Sequence, residues 1–210
     1  MNKHLLNALL AWPRPYISGV ALHSILDRSA GSRQAVLKRA IQEGYLVPIR
    51  RDLHLIQNLG KPLIDTFEIA PIVYGPSYVS FESALSYHGW IPEAVVTTTS
   101  ASVKRSKDFD TPIGVFSYEH IPIESFSLAV EQHSRERCTL FIASPAKALA
   151  DMIYTRKRTW ASLDDVCQDL RIDPECFDDA TTQTLTFLQE NHPTARVRKS
   201  LSYITTPTQS

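Results

Sequence analysis

Apolar residues recur at helical spacing three times before Gly44, and the pattern then changes to short apolar runs broken by charged residues. A first helix is expected over Lys3 to Ala11. It stops ahead of Pro13 and Pro15, because a proline disfavours helical geometry in the residue before it. A second is expected over about Ser18 to Leu26, with Val20, Ala21, Ile25 and Leu26 as its apolar face and a polar turn from Asp27 to Gly31 behind it. The third lies between Ser32, a residue type whose hydroxyl accepts from a free backbone N–H of a first turn, and Gly44, a residue type suited to a left-handed helix stop. Val36, Leu37, Ala40 and Ile41 share one side of it. A turn of about 100° per residue puts Gln34, Ala35, Lys38, Arg39 and Gln42 on the other.

That outer face carries cations and amides and no acid. Such groups donate to phosphates and base edges, whereas a carboxylate there would repel a nucleic-acid backbone. The run from Tyr45 to Ile56 then reads as two strands around Arg50-Arg51-Asp52, a hairpin with a basic tip. Helix, turn, basic helix and basic hairpin follow one another in the order of a winged helix-turn-helix. In that arrangement Arg28, Arg33, Arg50 and Arg51 are expected at the phosphates and Gln34, Lys38 and Arg39 at the bases, with Ser32 in the same DNA-binding set.

Charge sharpens this picture. The chain carries 22 Lys and Arg against 22 Asp and Glu, a formal net charge of zero. Residues 1–60 hold eight of the cations and three of the acids, so that stretch is basic and the remainder acidic. This is the asymmetry of a nucleic-acid module joined to a protein-facing one. Three cysteines without C-x-x-C spacing suggest neither a disulfide framework nor a zinc site, and a reducing cytoplasm is expected. No apolar run reaches the roughly 18 residues of a membrane helix, and the N-terminal stretch reads as helix, not as a signal peptide.

Beyond a short linker at Asn58–Pro62, a helix is expected over Leu63–Ile72. Ser80 is positioned to cap a helix holding Phe81, Ala84, Leu85 and His88, which Gly89 and Pro92 end. Residues 95–121 read as a β-meander with its turn at Asp110–Gly114, and Thr97–Ser100 as a half-exposed strand. Cys138–Lys157 reads as a strand entering a helix, with Ser144 as cap, Pro145 in the first turn and Ala148, Leu149, Met152 and Ile153 buried. Helices are expected after Ser162, from Asp173-Pro174 to about Asn191, and over 194–204, with a frayed end beyond.

Three ordered blocks, SYVSFESALSYHGWIPE, TTTSASVKRSKDFDTPIGVFSYEHI and ASPAKALADMIYTRK, cover about residues 77–157. Together they resemble the C-terminal region of AbiEi-type antitoxins of bacterial abortive-infection (type IV) toxin–antitoxin systems, and a winged helix in front fits that family's architecture. The resemblance implies an antitoxin in phage defence. Such a protein represses its own promoter, at inverted repeats in double-stranded DNA, and counteracts a nucleotidyltransferase toxin without needing to touch it. It also implies that Glu82, Ser83, Tyr87 and His88 mark the antitoxin domain. The chain departs from the family pattern at the wing, where Asp52 and His54 replace the expected Gly and Tyr of R-R-G-L-Y.

The expected fold is therefore α+β: a winged helix-turn-helix over 1–60, a mixed α/β domain over 61–160 and a helical extension over 161–210. No enzyme motif, cofactor site or metal site stands out. Two other functions remain open at this point. One is a regulator without a toxin; the other is a divergent nucleotidyl- or phosphotransferase using Asp108 and Asp110. Glu82 and His88, six residues apart, do not share a helix face. His88 and His120 are expected to be hydrogen-bonded structural residues, and Arg156-Lys157-Arg158 a solvated helix end or an auxiliary DNA contact.

Overall fold

The computed structural model describes residues 3–26, 30–61, 65–93, 95–135 and 138–205. The chain divides into two compact units, Met1–Ile69 with Phe109–Gly114 and Ala70–Asp108 with Val115–Ser210. Helices and strands are present in both, and the fold class is α+β.

The first unit runs α1 (Lys3–Ala11), β1 (Tyr16–Ser18), α2 (Gly19–Leu26), α3 (Ala30–Gln42), β2 (Leu46–Arg50) and β3 (Leu53–Ile56). Its sheet has the order β1-β3-β2, antiparallel throughout, with Tyr16 opposite Leu55 and Val47 opposite Leu55 from the other side. The helices close over a core of Leu5, Leu9, Ile17, Leu22, Leu26, Ala40, Leu46 and Ile56. Each fully buried leucine there contributes about 1.5–3 kcal/mol.

Two expectations fail here. Val20 is 75% exposed, and the packed side of α2 runs instead through Leu22 and Leu26, with Ala21 and Ile25 partly buried beside them. Ser32 is not an N-cap. The helix begins at Ala30, so Ser32 sits inside its first turn. The short strand β1 carries no alternating signal in the sequence and went unrecognised there.

The helix stop at Gly44 is as expected. Gly44 has φ +75, its N–H donates to Ile41 O at 3.0 Å, and the Tyr45 N–H reaches back to Ala40 O at 3.0 Å. This pair of bonds satisfies carbonyls that the helix end would otherwise leave open, and it sends the chain directly into β2. Lys61 Nζ donates to Leu10 O at 3.0 Å and to Trp12 O, satisfying carbonyls at the end of α1 in the same way.

Helix α4 spans Thr66–Val73. It is shorter than expected, and residues 62–64 lie outside the described residues. Along the rest of the chain follow β4 (Ser77–Val79), α5 (Phe81–Tyr87), β5 (Thr98–Ser102), β6 (Lys107–Thr111), β7 (Gly114–His120), β8 (Val130–Ser134), β9 (Thr139–Ala143), α6 (Pro145–Arg156), α7 (Leu163–Leu170), α8 (Asp179–Asn191) and α9 (Ala195–Thr205). The sheet order is β6-β7-β5-β4-β9-β8.

This is not a meander. β5 pairs with β7 in parallel, Ser100 opposite Tyr118, and β6 lies outside them. β5 is therefore an interior strand, and Thr98–Ser100 are buried rather than half exposed, while Thr97 before it is half-buried. Two of its hydroxyls bond to the backbone: Thr99 Oγ1 donates to Ser80 O at 2.7 Å and Ser102 Oγ to Pro76 O at 2.8 Å.

Ser144 caps α6 by accepting from the Lys147 N–H at 3.2 Å, and the expected apolar stripe is buried. Ser162 caps α7 as expected, at 3.1 Å from the Asp165 N–H. The helix expected from Asp173-Pro174 is in fact two elements, a 3-10 turn at Pro174–Cys176 and α8, which Asp178 caps. The expected frayed end falls on residues 206–210, outside the described residues.

Candidate nucleic-acid interface

Gln34, Ala35, Lys38, Arg39 and Gln42 are all exposed on α3, while Val36, Leu37, Ala40 and Ile41 pack toward the core. Arg33 is half-buried at the edge of this face. Arg39 makes an i,i+4 pair with Glu43 at 3.0 Å and keeps 70% of its side chain exposed. Among the described residues no ion pair engages Lys38. Arg28 lies outside the described residues.

The β2–β3 tip carries Arg50 and Arg51, both exposed. Arg50 donates to the Arg51 carbonyl at 3.1 Å, and Arg51 is 3.9 Å from the Asp52 carboxylate with 96% of its side chain exposed. Asp52 takes the left-handed turn position at φ 63, where glycine is the least strained residue. The hairpin is held from behind. The Gly19 N–H donates to Asp52 O at 2.8 Å, and a Cβ on Gly19 would come within 2.9 Å of the Asp52 carboxylate. The sequence thus brings together on one unit an exposed cationic and amide helix face and an exposed cationic hairpin tip, both backed by an apolar core.

In the second unit the three sequence blocks are joined by two polar clusters. The first is buried: Tyr78 Oη and Ser80 Oγ each donate to Asp151 Oδ2 at 2.8 Å, and Lys147 Nζ donates to Asp151 Oδ1 at 2.7 Å. Ser80 stands at the start of α5 but does not cap it, because its hydroxyl is spent on Asp151. Burial and the Asp151 carboxylate push the Tyr78 phenol well above its ordinary pKa. The second cluster has Arg156 between Glu82 and Glu119. Burial opposes ionisation of Glu82, but the guanidinium outweighs it and holds the carboxyl below its ordinary range.

The four residues expected to mark the antitoxin domain do not form one site. Glu82 faces Arg156, and Ser83 is buried, its Oγ accepting from the Thr99 N–H at 2.8 Å. Tyr87 and His88 sit at the opposite end of α5 beside His133. His88 Nε2 lies 3.0 Å from Ala143 O and His120 Nδ1 3.2 Å from Lys104 O, so both histidines have backbone partners. Arg156 and Arg158 are drawn into ion pairs, with Glu82 and Asp169 respectively. Asp108 and Asp110 lie on strand β6 rather than in a loop, and Asp108 accepts from Ser117 Oγ at 2.7 Å.

No family model and no curated protein matches the chain. Among the described residues no helix is long and apolar enough to cross a membrane.

Lys147, Asp151, Glu131 and His133 were not singled out from the sequence. A signal existed for the first two: a Lys and an Asp four apart, in a helix that is otherwise apolar from Pro145 to Ile153.

Proposed function

We propose that the protein binds duplex DNA through its first unit, working as a winged helix-turn-helix with α3 in the major groove and the β2–β3 tip on the adjoining phosphates. The reading extends to a repressor of its own promoter that counteracts a nucleotidyltransferase toxin, as in the antitoxin family its sequence blocks resemble. One observation carries it: Gln34, Lys38 and Arg39 stand exposed on a helix whose opposite side is packed, in the same unit as a hairpin tipped by Arg50 and Arg51. An α-helix fits the major groove, and amides and cations are the groups that read base edges there. The acidic balance of the rest of the chain favours orientation of this unit toward the duplex.

A gel-shift titration against the chain's own upstream region tests the DNA half. Lys38→Ala is expected to weaken binding to that region by about 1–3 kcal/mol and to relax sequence preference. If Lys38→Ala and the Arg50→Ala, Arg51→Ala pair both leave the shift unchanged, the proposed surface is wrong. Co-expression with a neighbouring nucleotidyltransferase tests the antitoxin half, and growth that is not restored reduces the reading to a regulator alone.

A further inference from the structure

We propose that His88, Glu131 and His133 bind a divalent transition-metal ion of the zinc class. One nitrogen from each imidazole and one carboxylate oxygen all lie within 4.8 Å of one another. His133 Nε2 is 3.0 Å from Glu131 Oε2, and His88 Nε2 is 3.9 Å from the same oxygen. Ligands held at about 2.0–2.1 Å around a tetrahedral ion are separated by about 3.4 Å, so the two observed separations bracket the required one.

The placement of these residues runs against the pattern of the sheet. In the β8–β9 ladder Glu131 is opposite Ile142 and His133 opposite Leu140, and opposed residues share a face. Ile142 and Leu140 are buried. An acid and a histidine therefore occupy, on the terminal strand, the face that its neighbour devotes to core residues. His88 arrives over that face from the end of α5. Tyr87 stands edge-on to both imidazoles, with ring centroids 5.3 Å from His88 and 5.2 Å from His133, and limits how far either ring can turn.

Two imidazoles and a carboxylate suit zinc, cobalt, nickel or iron, whereas calcium and magnesium take oxygen ligands. Binding requires neutral imidazoles with a lone pair on the coordinating nitrogen. For His88 that means turning Nε2 off the Ala143 carbonyl, which it meets at 3.0 Å, so that its lone pair faces Glu131 and His133, the ring proton residing on Nδ1. The three side chains are partly exposed, at 16%, 44% and 30% for His88, Glu131 and His133, so an ion has a path from solvent.

The full chain, freed of metal with a chelator, is titrated with Zn2+ by calorimetry, and one ion per chain is expected. Co2+ in its place is expected to give the visible absorption of a four-coordinate nitrogen and oxygen site, without the thiolate charge-transfer bands that Cys138, Cys167 or Cys176 would add. Glu131→Gln and His133→Ala should each weaken binding about tenfold or more, while His23→Ala on α2 should leave it unchanged. His88→Ala also removes the contact to Ala143, so Glu131→Gln, which keeps the shape of an exposed side chain, carries the test if that variant misfolds. Absence of one-to-one Zn2+ binding overturns the proposal, as does equal binding by the wild type and both variants. The trio is then a polar patch that discourages strand addition at a sheet edge.

Discussion

The exposed cations of the α3 face and the hairpin tip contrast with several arginines of the second unit. In the first unit, Lys38, Arg39, Arg50 and Arg51 project from surfaces whose inner sides are packed. In the second, several arginines are committed to partners within the chain. Arg156 joins Glu82 and Glu119, and Arg171 pairs with Glu93. Arg196 donates to the carbonyls of Ile153 and Tyr154 at the end of α6, and Arg198 to those of His192 and Pro193. An arginine that satisfies a helix terminus has donors already committed, and recruiting it to a phosphate would expose those carbonyls again. A basic segment such as 194–204 is thus a poor guide to ligand binding until the destination of each guanidinium is known.

The largest test of this contrast is Asp151→Ala. It leaves Lys147, fully buried, without its carboxylate, and should cost about 3–5 kcal/mol in denaturant unfolding. Replacing both members, with Lys147→Met and Asp151→Leu, should recover the part due to the unpaired charge but not the part due to the buried Tyr78 and Ser80 hydroxyls, which still lose their acceptor. A second effect comes from acid. Burial, with Lys147 nearby, lowers the His192 pKa from 6.5 to about 4. Between those values the unfolded chain binds a proton that the native one does not, so stability should fall as pH drops from about 6.5 toward 4, by up to about 3 kcal/mol. Denaturant midpoints measured across that window check it, and His192→Gln should flatten the slope.

Smaller effects belong to the first unit. Arg50→Ala with Arg51→Ala should weaken all duplexes alike, and should reduce the slope of log affinity against log salt by about one per lost phosphate contact. Unchanged salt dependence would place the hairpin away from DNA and blur the contrast between the units. Asp52→Gly relieves a left-handed backbone and removes an acid from the tip. It should raise unfolding stability by less than about 1 kcal/mol and tighten DNA binding slightly. A thermal melt and the same gel shift read both.

The parts of the fold visible in the sequence are those specified locally. Gly44, Ser144-Pro145 and Ser162 act on groups within a turn of themselves, so their roles follow from residue type and spacing. What stayed hidden depends on distant partners. Ser80 looks like a cap until Asp151, 71 positions on, takes its hydroxyl. Thr97–Ser100 look half exposed because hydroxyls suggest solvent, and only the parallel pairing with β7 makes Thr98, Thr99 and Ser100 interior. The basic helix face was legible because an amphipathic period is a local signal. The His88, Glu131 and His133 grouping was not, because a strand end and a helix end separated by more than forty residues meet only through the sheet order.

The bond from the Gly19 amide to the Asp52 carbonyl has a thermodynamic consequence for association. Together with the pairing of β1 and β3, it anchors the hairpin to the start of α2, so the arm proposed to meet a duplex is braced rather than loose. Little backbone freedom is then surrendered on docking, and a larger share of each charge contact survives as affinity. Cutting that brace, even with every arginine in place, would make the same contacts weaker through disorder alone.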